Sequence, residues 1–126
     1  MKNPINVAIV GMGQAGLKHL LAFKKLKNVK IVGVADSDKK ILKEIKAKHG
    51  FNTFSSYKEL LDLELDILVI ATPHRYLHQI GKDAAALGIN ILIEKPIALN
   101  LSDAVKLVNY CNDKKVKMGV SFVHRY

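Results

Sequence analysis

Two kinds of segment alternate along the chain. Short β-branched runs occur at Ile5–Val10 (INVAIV), Lys30–Ala35 (KIVGVA), Asp66–Ala71 (DILVIA) and Ile89–Glu94 (INILIE), with a weaker one at Val116–Phe122 (VKMGVSF). Their apolar character is nearly continuous rather than alternating, which predicts strands buried on both faces. Between them, apolar residues recur at helical spacing. Leu17, Leu20 and Leu21 form one stripe, and Ile41, Leu42 and Ile45 a second. Leu77, Ile80, Ala84 and Leu87 form a third, and Leu101, Ala104, Val105, Val108 and Cys111 a fourth. A short strand at Asn52–Phe54 and a brief helix at Ser56–Asp62 fill the space between the second helix and the third long strand. Asn100, with Asp103 three residues on, suits the N-cap of the last helix, and Gly88 suits a helix stop.

This alternation predicts an α/β fold: a doubly wound parallel sheet with helices on both faces, in three αβα layers. Ligands of such sheets bind at the carboxyl ends of the strands, near the switch in strand order. Four loops are therefore candidates for chemistry: Gly11–Gly16, Asp36–Asp38, Thr72–His78 and Lys95–Leu99.

The first of these loops is the most informative. Gly11, Gly13 and Gly16 in VAIVGMGQAG stand at GxGxxG spacing, after a strand and at the opening of a helix. Asp36 ends the second strand about 20 residues later, where a ribose-binding carboxylate belongs in a Rossmann-type sheet. Gly11 permits the turn, Gly13 leaves room for phosphate oxygens, and Gly16 lets the helix pack closely. The first helical turn then offers free N–H groups and a positive dipole end to a diphosphate. Asp36 can accept hydrogen bonds from a ribose and repel a 2′-phosphate, which favours NAD over NADP. Ser37, Lys39 and Lys40 weaken that preference, because they could line a phosphate site. The competing reading is a glycine-rich turn beside a solvated aspartate.

Composition narrows the field. With 126 residues, 49% of them apolar, the chain is sized for one domain. No apolar run reaches the roughly 18 residues of a membrane span, and the N-terminus does not read as a signal peptide. A single cysteine, Cys111, excludes an internal disulfide, and together these features point to the cytoplasm. The formal charge of +9 raises the question of nucleic acid. The lysines, however, cluster on helices or at their ends, without interleaved aromatics, and read as solvated faces. No nucleic-acid or membrane partner is expected.

Three further stretches join the argument: ATPHRYLH (Ala71–His78), EKPIALNLSDA (Glu94–Ala104) and VSFVHRY (Val120–Tyr126). With VAIVGMGQAG and VADSD, they resemble the N-terminal NAD(P)-binding domain of the Gfo/Idh/MocA oxidoreductases, over essentially the whole chain. The EKP that follows the fifth strand is the most specific element. The resemblance implies an NAD- or NADP-dependent enzyme that oxidises or reduces a hydroxyl-bearing carbon, commonly of a sugar or cyclitol. Gly11, Met12, Gly13, Gln14, Ala15 and Gly16 would hold the diphosphate, and Asp36 and Ser37 the adenosine ribose. Ala71, Thr72, Pro73 and His74 would pass beside the cofactor, and His78 matches a histidine of the following helix. Glu94, Lys95 and Pro96 would lie by the nicotinamide, with Lys95 as the catalytic residue and a cis bond before Pro96 fixing it. The resemblance also implies a second α+β domain, absent from this chain. Residues 1–126 are then expected to be the cofactor-binding part of a longer homo-oligomeric enzyme, inactive alone. The alternatives are a stand-alone dinucleotide-binding or sensing module, and a Rossmann domain for a different nucleotide.

The residues themselves leave Lys95 open. Partly desolvated at a strand end, its ammonium could relay a proton or stabilise an alkoxide. The competing reading is a lysine that snorkels to solvent. Two positions depart from the family pattern, His74 and Val123, where asparagine is frequent. His124 and Arg125 match the family's HR pair, and Arg125 could bind substrate or tie down the chain. His74 and His78 stand four apart, but Pro73 places the helix start after His74 and no third ligand is evident, so no metal is expected. Cys111 reads as a buried, inert thiol, and His19 and His49 as surface residues.

Overall fold

The computed structural model describes residues 4–94 and 101–121. Six parallel strands form one sheet in the order β3-β2-β1-β4-β5-β6. They are β1 (Ile5–Val10), β2 (Val29–Ala35), β3 (Thr53–Phe54), β4 (Ile67–Ile70), β5 (Asn90–Glu94) and β6 (Met118–Ser121). The helices are α1 (Gln14–Lys24), α2 (Lys39–His49), α3 (Tyr57–Leu60), α4 (His74–Ala86) and α5 (Leu101–Asp113). Each β-branched run of the sequence became a strand, the weak Asn52–Phe54 segment included. Asn100 lies outside the described residues. Gly88 lies just past α4 at φ +77°, in the left-handed region that a helix stop uses.

The two-residue period of the strands divides the core in two. Ala8, Val10, Leu68, Ile70, Ile91 and Ile93 face one layer, packed by Leu77, Ile80 and Ala84 of α4 and Leu107 and Cys111 of α5. Val7, Ile9, Val34 and Val69 face the other, packed by Leu20 of α1 and Leu42 and Ile45 of α2. The chain thus starts at the sheet's centre, winds outward over one face and returns to wind outward over the other. This leaves the switch in strand order between β1 and β4.

The helix faces differ in detail from the apolar stripes. On α1 the buried residues are Gly16, His19 and Leu20, so His19 is not a surface residue. Leu17 and Leu21 are exposed instead. Gly16 sets this phase: it must face inward, and Leu20, one turn on, follows it. His49 is half-buried and lies against the Lys24 ammonium, with Nζ 3.0 Å from Nδ1. Leu87 lies past the end of α4 and is exposed; Gly81 and Ala85 take its place on the buried face. On α5, Leu107 and Cys111 form the buried seam, while Val105 and Val108 are exposed. The side chains of Leu101 and Ala104 lie outside the described ones. Burial raises the pKa of the Cys111 thiol, in line with an inert core residue.

Candidate dinucleotide site

The carboxyl ends of four strands are laced together. The Gly11 amide donates to Ala35 O (2.8 Å), the Ala71 amide to Val10 O (2.8 Å) and the Asp36 amide to Phe54 O (3.2 Å). The loops after β1, β2 and β4 therefore leave the sheet side by side, at the switch in strand order.

Each glycine of the first loop has a separate physical reason. Gly11 has φ +91°, and a Cβ there would sit 2.7 Å from Ala71 O. At Gly16 a Cβ would lie 1.7 Å from Gly11 O, because the first turn of α1 rests directly on the preceding loop. Its close neighbour is thus the glycine loop itself rather than the strand. A Cβ on Gly13 would meet nothing within 4 Å. Two glycines are required by the protein's own backbone, whereas the third faces open space. Gly13 is also the N-cap of α1, with no side-chain cap and no acidic residue in the first turn. The amides of that turn keep their donors and the positive end of the dipole for something else.

Asp36 stands at the rim. Its Oδ2 accepts from the Met12 amide (2.6 Å) and its Oδ1 from the Asp38 amide (2.8 Å). The carboxylate is therefore fixed against the glycine loop, and each oxygen retains acceptor capacity toward a ligand. Met12 is buried and packs in the α1–α2 core, while Ser37 is exposed. Across the switch point, Thr72 and His78 each bury a polar atom, Oγ1 and Nδ1, with no hydrogen-bond partner among the described residues. Such atoms cost about 1–3 kcal/mol each unless something satisfies them.

Helix α4 begins at His74, with Pro73 as N-cap, one residue earlier than the sequence suggested. The His74 side chain lies outside the described ones. Among the described residues, no three His, Cys, Asp or Glu side chains gather in a way that could hold a metal ion. Ile70 pairs with Ile93, so Glu94 ends β5 level with Ala71. The Glu94 side chain and residues Lys95, Pro96, Val123, His124 and Arg125 lie outside what is described.

The structure adds a feature that the sequence reading missed. A cleft of about 500 Å³ opens beside the loop, between the ends of β1, β2, β3 and β4. Val10, Ser37, Thr72 and Pro73 connect it to the glycine loop; Ser55, Ser56, Tyr57, Arg75, Tyr76 and Gln79 line the remainder. The Arg75 guanidinium lies 5.0 Å above the Tyr76 ring. Arg75 and Tyr76, in the first turn of α4, fall inside the Thr72–His78 stretch that the strand-end rule marks. Applied to β3, the same rule would have found Ser55 and Ser56.

Tyr57 forms one wall. Its hydroxyl donates to Asp83 Oδ2 at 2.6 Å. Desolvation, then that bond, then the Asp83 charge push the phenol from 10.0 up to about 12. The folded state favours the neutral phenol, so the associated stability is complete below pH 10 and declines as pH rises toward 12. A spectrophotometric titration should find one of the four tyrosines ionising late, with stability to denaturant falling across that window. Ionisation of all four together would show that the Asp83 bond does not form in solution.

An open glycine loop, an uncapped helix end, a rim carboxylate and an adjoining cleft, all at the switch point, define a dinucleotide-binding Rossmann domain. Comparison with known proteins gives the family. The model for the oxidoreductase family with NAD-binding Rossmann fold, Gfo/Idh/MocA, matches residues 5–122, and the chain belongs to that family. It is 26% identical over 120 residues to glucose-6-phosphate 3-dehydrogenase of Bacillus subtilis, covering 95% of this chain and 34% of that protein. Among solved structures it is similar to GenD2 from gentamicin A biosynthesis in complex with NAD, with TM-score 0.90 and 25% identity. That match covers 96% of this chain and 35% of GenD2. It is also similar to myo-inositol 2-dehydrogenase from Lactobacillus plantarum, with TM-score 0.88 and 26% identity over 98% of this chain and 38% of the enzyme. The chain therefore spans about a third of the length of these relatives.

Proposed function

We propose that the chain holds NAD(H) for a dehydrogenase acting on a hydroxyl-bearing carbon of a sugar-like small molecule. The observation that carries this reading is the glycine loop. Gly11 and Gly16 are demanded by the fold, but Gly13 faces open space in front of uncapped amides, with Asp36 fixed at the rim. A loop built only as a turn gives the third glycine no more than the modest preference of an N-cap position. The dinucleotide's paired phosphates would lie over Gly13 against the first turn of α1, and the adenosine ribose against Asp36. The adenine would enter the cleft lined by Tyr57 and Tyr76, whose aromatic side chains suit a flat heterocycle.

The bound cofactor supplies the hydride acceptor or donor. The chain's part is to orient it and to assist charge movement on the substrate. We assign the latter to Lys95, whose position after β5 follows the family motif. Its ammonium would stabilise a developing alkoxide or relay the hydroxyl proton. The sugar-like substrate class rests on relatives named for glucose 6-phosphate and myo-inositol. Turnover is proposed for the protein that also carries the family's second domain.

Titration with NAD and NADP tests the reading. NAD is expected to bind more tightly. Asp36→Ala should weaken NAD about tenfold and narrow the gap to NADP, since ribose hydrogen bonds and charge repulsion are lost together. An unchanged ratio would remove Asp36 from the ribose. Binding of neither cofactor at millimolar concentration would overturn the assignment.

A further inference from the structure

The cleft beside the glycine loop has a wall tied to a residue outside it. Tyr57 belongs to α3, a helix of only four residues on the crossover from β3 to β4. Ser56 caps it by accepting from the Lys58 amide at 3.2 Å. The Tyr57 ring packs at the edge of the core, and its hydroxyl is held by a contact 26 residues away, the 2.6 Å bond to Asp83 Oδ2. The other oxygen, Oδ1, accepts from Gln79 Nε2 at 2.7 Å. Tyr57 and Gln79 both line the cleft, whereas Asp83 does not. Asp83 stands on α4, whose Leu77, Ile80 and Ala84 are buried against the sheet. Its carboxylate is thus a fixed post with one oxygen spent on each of two cleft-lining side chains.

We infer that Asp83 is a positioning residue for the adenine end of the cofactor: from outside the cleft it holds Tyr57 and Gln79 as one wall of the adenine pocket. The inference rests on the dinucleotide reading above. A stacking surface contributes to affinity only if its ring is already in place when the base arrives; otherwise binding must first order it.

The test measures binding of ADP-ribose, which carries adenosine and diphosphate without nicotinamide, at temperatures where circular dichroism shows every variant folded. Asp83→Ala and Tyr57→Phe are each expected to weaken ADP-ribose about five- to tenfold. Asp83→Asn keeps an acceptor for Tyr57, and its amide can pair with Gln79 after a flip; it should remain within about twofold of the unaltered chain. The double variant Tyr57→Phe/Asp83→Ala should lose no more than Asp83→Ala alone, because the Tyr57–Asp83 bond is then already cut. Losses that multiply, or Asp83→Ala binding as well as the unaltered chain, would overturn the inference while leaving the dinucleotide site intact. If Asp83→Ala does not fold, Tyr57→Phe with Asp83→Asn still decides: unaltered affinity in Tyr57→Phe, or a tenfold loss in Asp83→Asn, overturns it. Failure of the unaltered chain to bind either ADP-ribose or NAD would instead bring down the site assignment and this inference with it.

Discussion

Alanine in place of Gly16 is expected to destabilise the domain severely, by roughly 4 kcal/mol or more, and to remove cofactor binding with it. Helix propensity alone predicts the opposite sign, since alanine in a helix gains about 1 kcal/mol over glycine. Geometry decides against propensity. The new methyl would lie 1.7 Å from Gly11 O and 2.8 Å from Gly11 C, which are backbone atoms with no rotamer to escape into. The loop cannot withdraw, because the Gly11 amide is bonded to Ala35 O and its Cα faces Ala71 O. Helix α1 cannot lift away cheaply either. Leu20, one turn on, is fully buried against Val7, Ile9 and Val34. Small domains retain only about 5–15 kcal/mol in total, so the loss is a large fraction of stability. Urea denaturation should show the midpoint falling steeply. A variant as stable as the unaltered chain would show that α1 does not rest on the loop as described.

Much of this architecture was legible in the sequence, for local reasons. Apolar continuity marked each strand, because a strand buried on both faces has no polar side to show. The GxGxxG loop carried its own context: a strand before it, a helix after it and Asp36 ending β2. The failures share a different cause. Apolar identity alone puts Leu17 and Leu21 in the core and His19 on the surface, because it carries no information on the helix's rotational phase. That phase is fixed by the clash Gly16 avoids, which depends on where Gly11 lies in space. Leu107 was missed for a similar reason: α5 meets α4 along the seam that Gly81 opens for it. The cleft was hidden more deeply. Ser55, Tyr57, Tyr76 and Gln79 come from two crossovers brought together only by the strand order, and no local pattern links Tyr57 to Asp83.

Valine in place of Gly13 should show the reverse behaviour: a normal fold with cofactor affinity reduced about 100-fold or more. The backbone there, with φ −72° and ψ −160°, is open to any residue, and beyond the adjoining residues of the chain nothing lies within 4 Å of the added Cβ. Gly13 contributes no side-chain cap, so none is lost; an N-cap glycine exceeds an apolar residue by about 1 kcal/mol or less. The space the branched side chain would fill is the space in front of the α1 amides. A diphosphate pushed off those donors loses at least two charge-assisted hydrogen bonds, together about 3 kcal/mol or more, which is the hundredfold. The readout is differential. Saturating NAD should raise the melting temperature of the unaltered chain by mass action and leave that of Gly13→Val unmoved, although without ligand the two melt within about 5 °C of one another. Gly16→Ala cannot give that pattern, because it damages fold and site together. If Gly13→Val binds NAD as the unaltered chain does, the paired phosphates do not lie over this loop, and the open face of Gly13 needs another occupant.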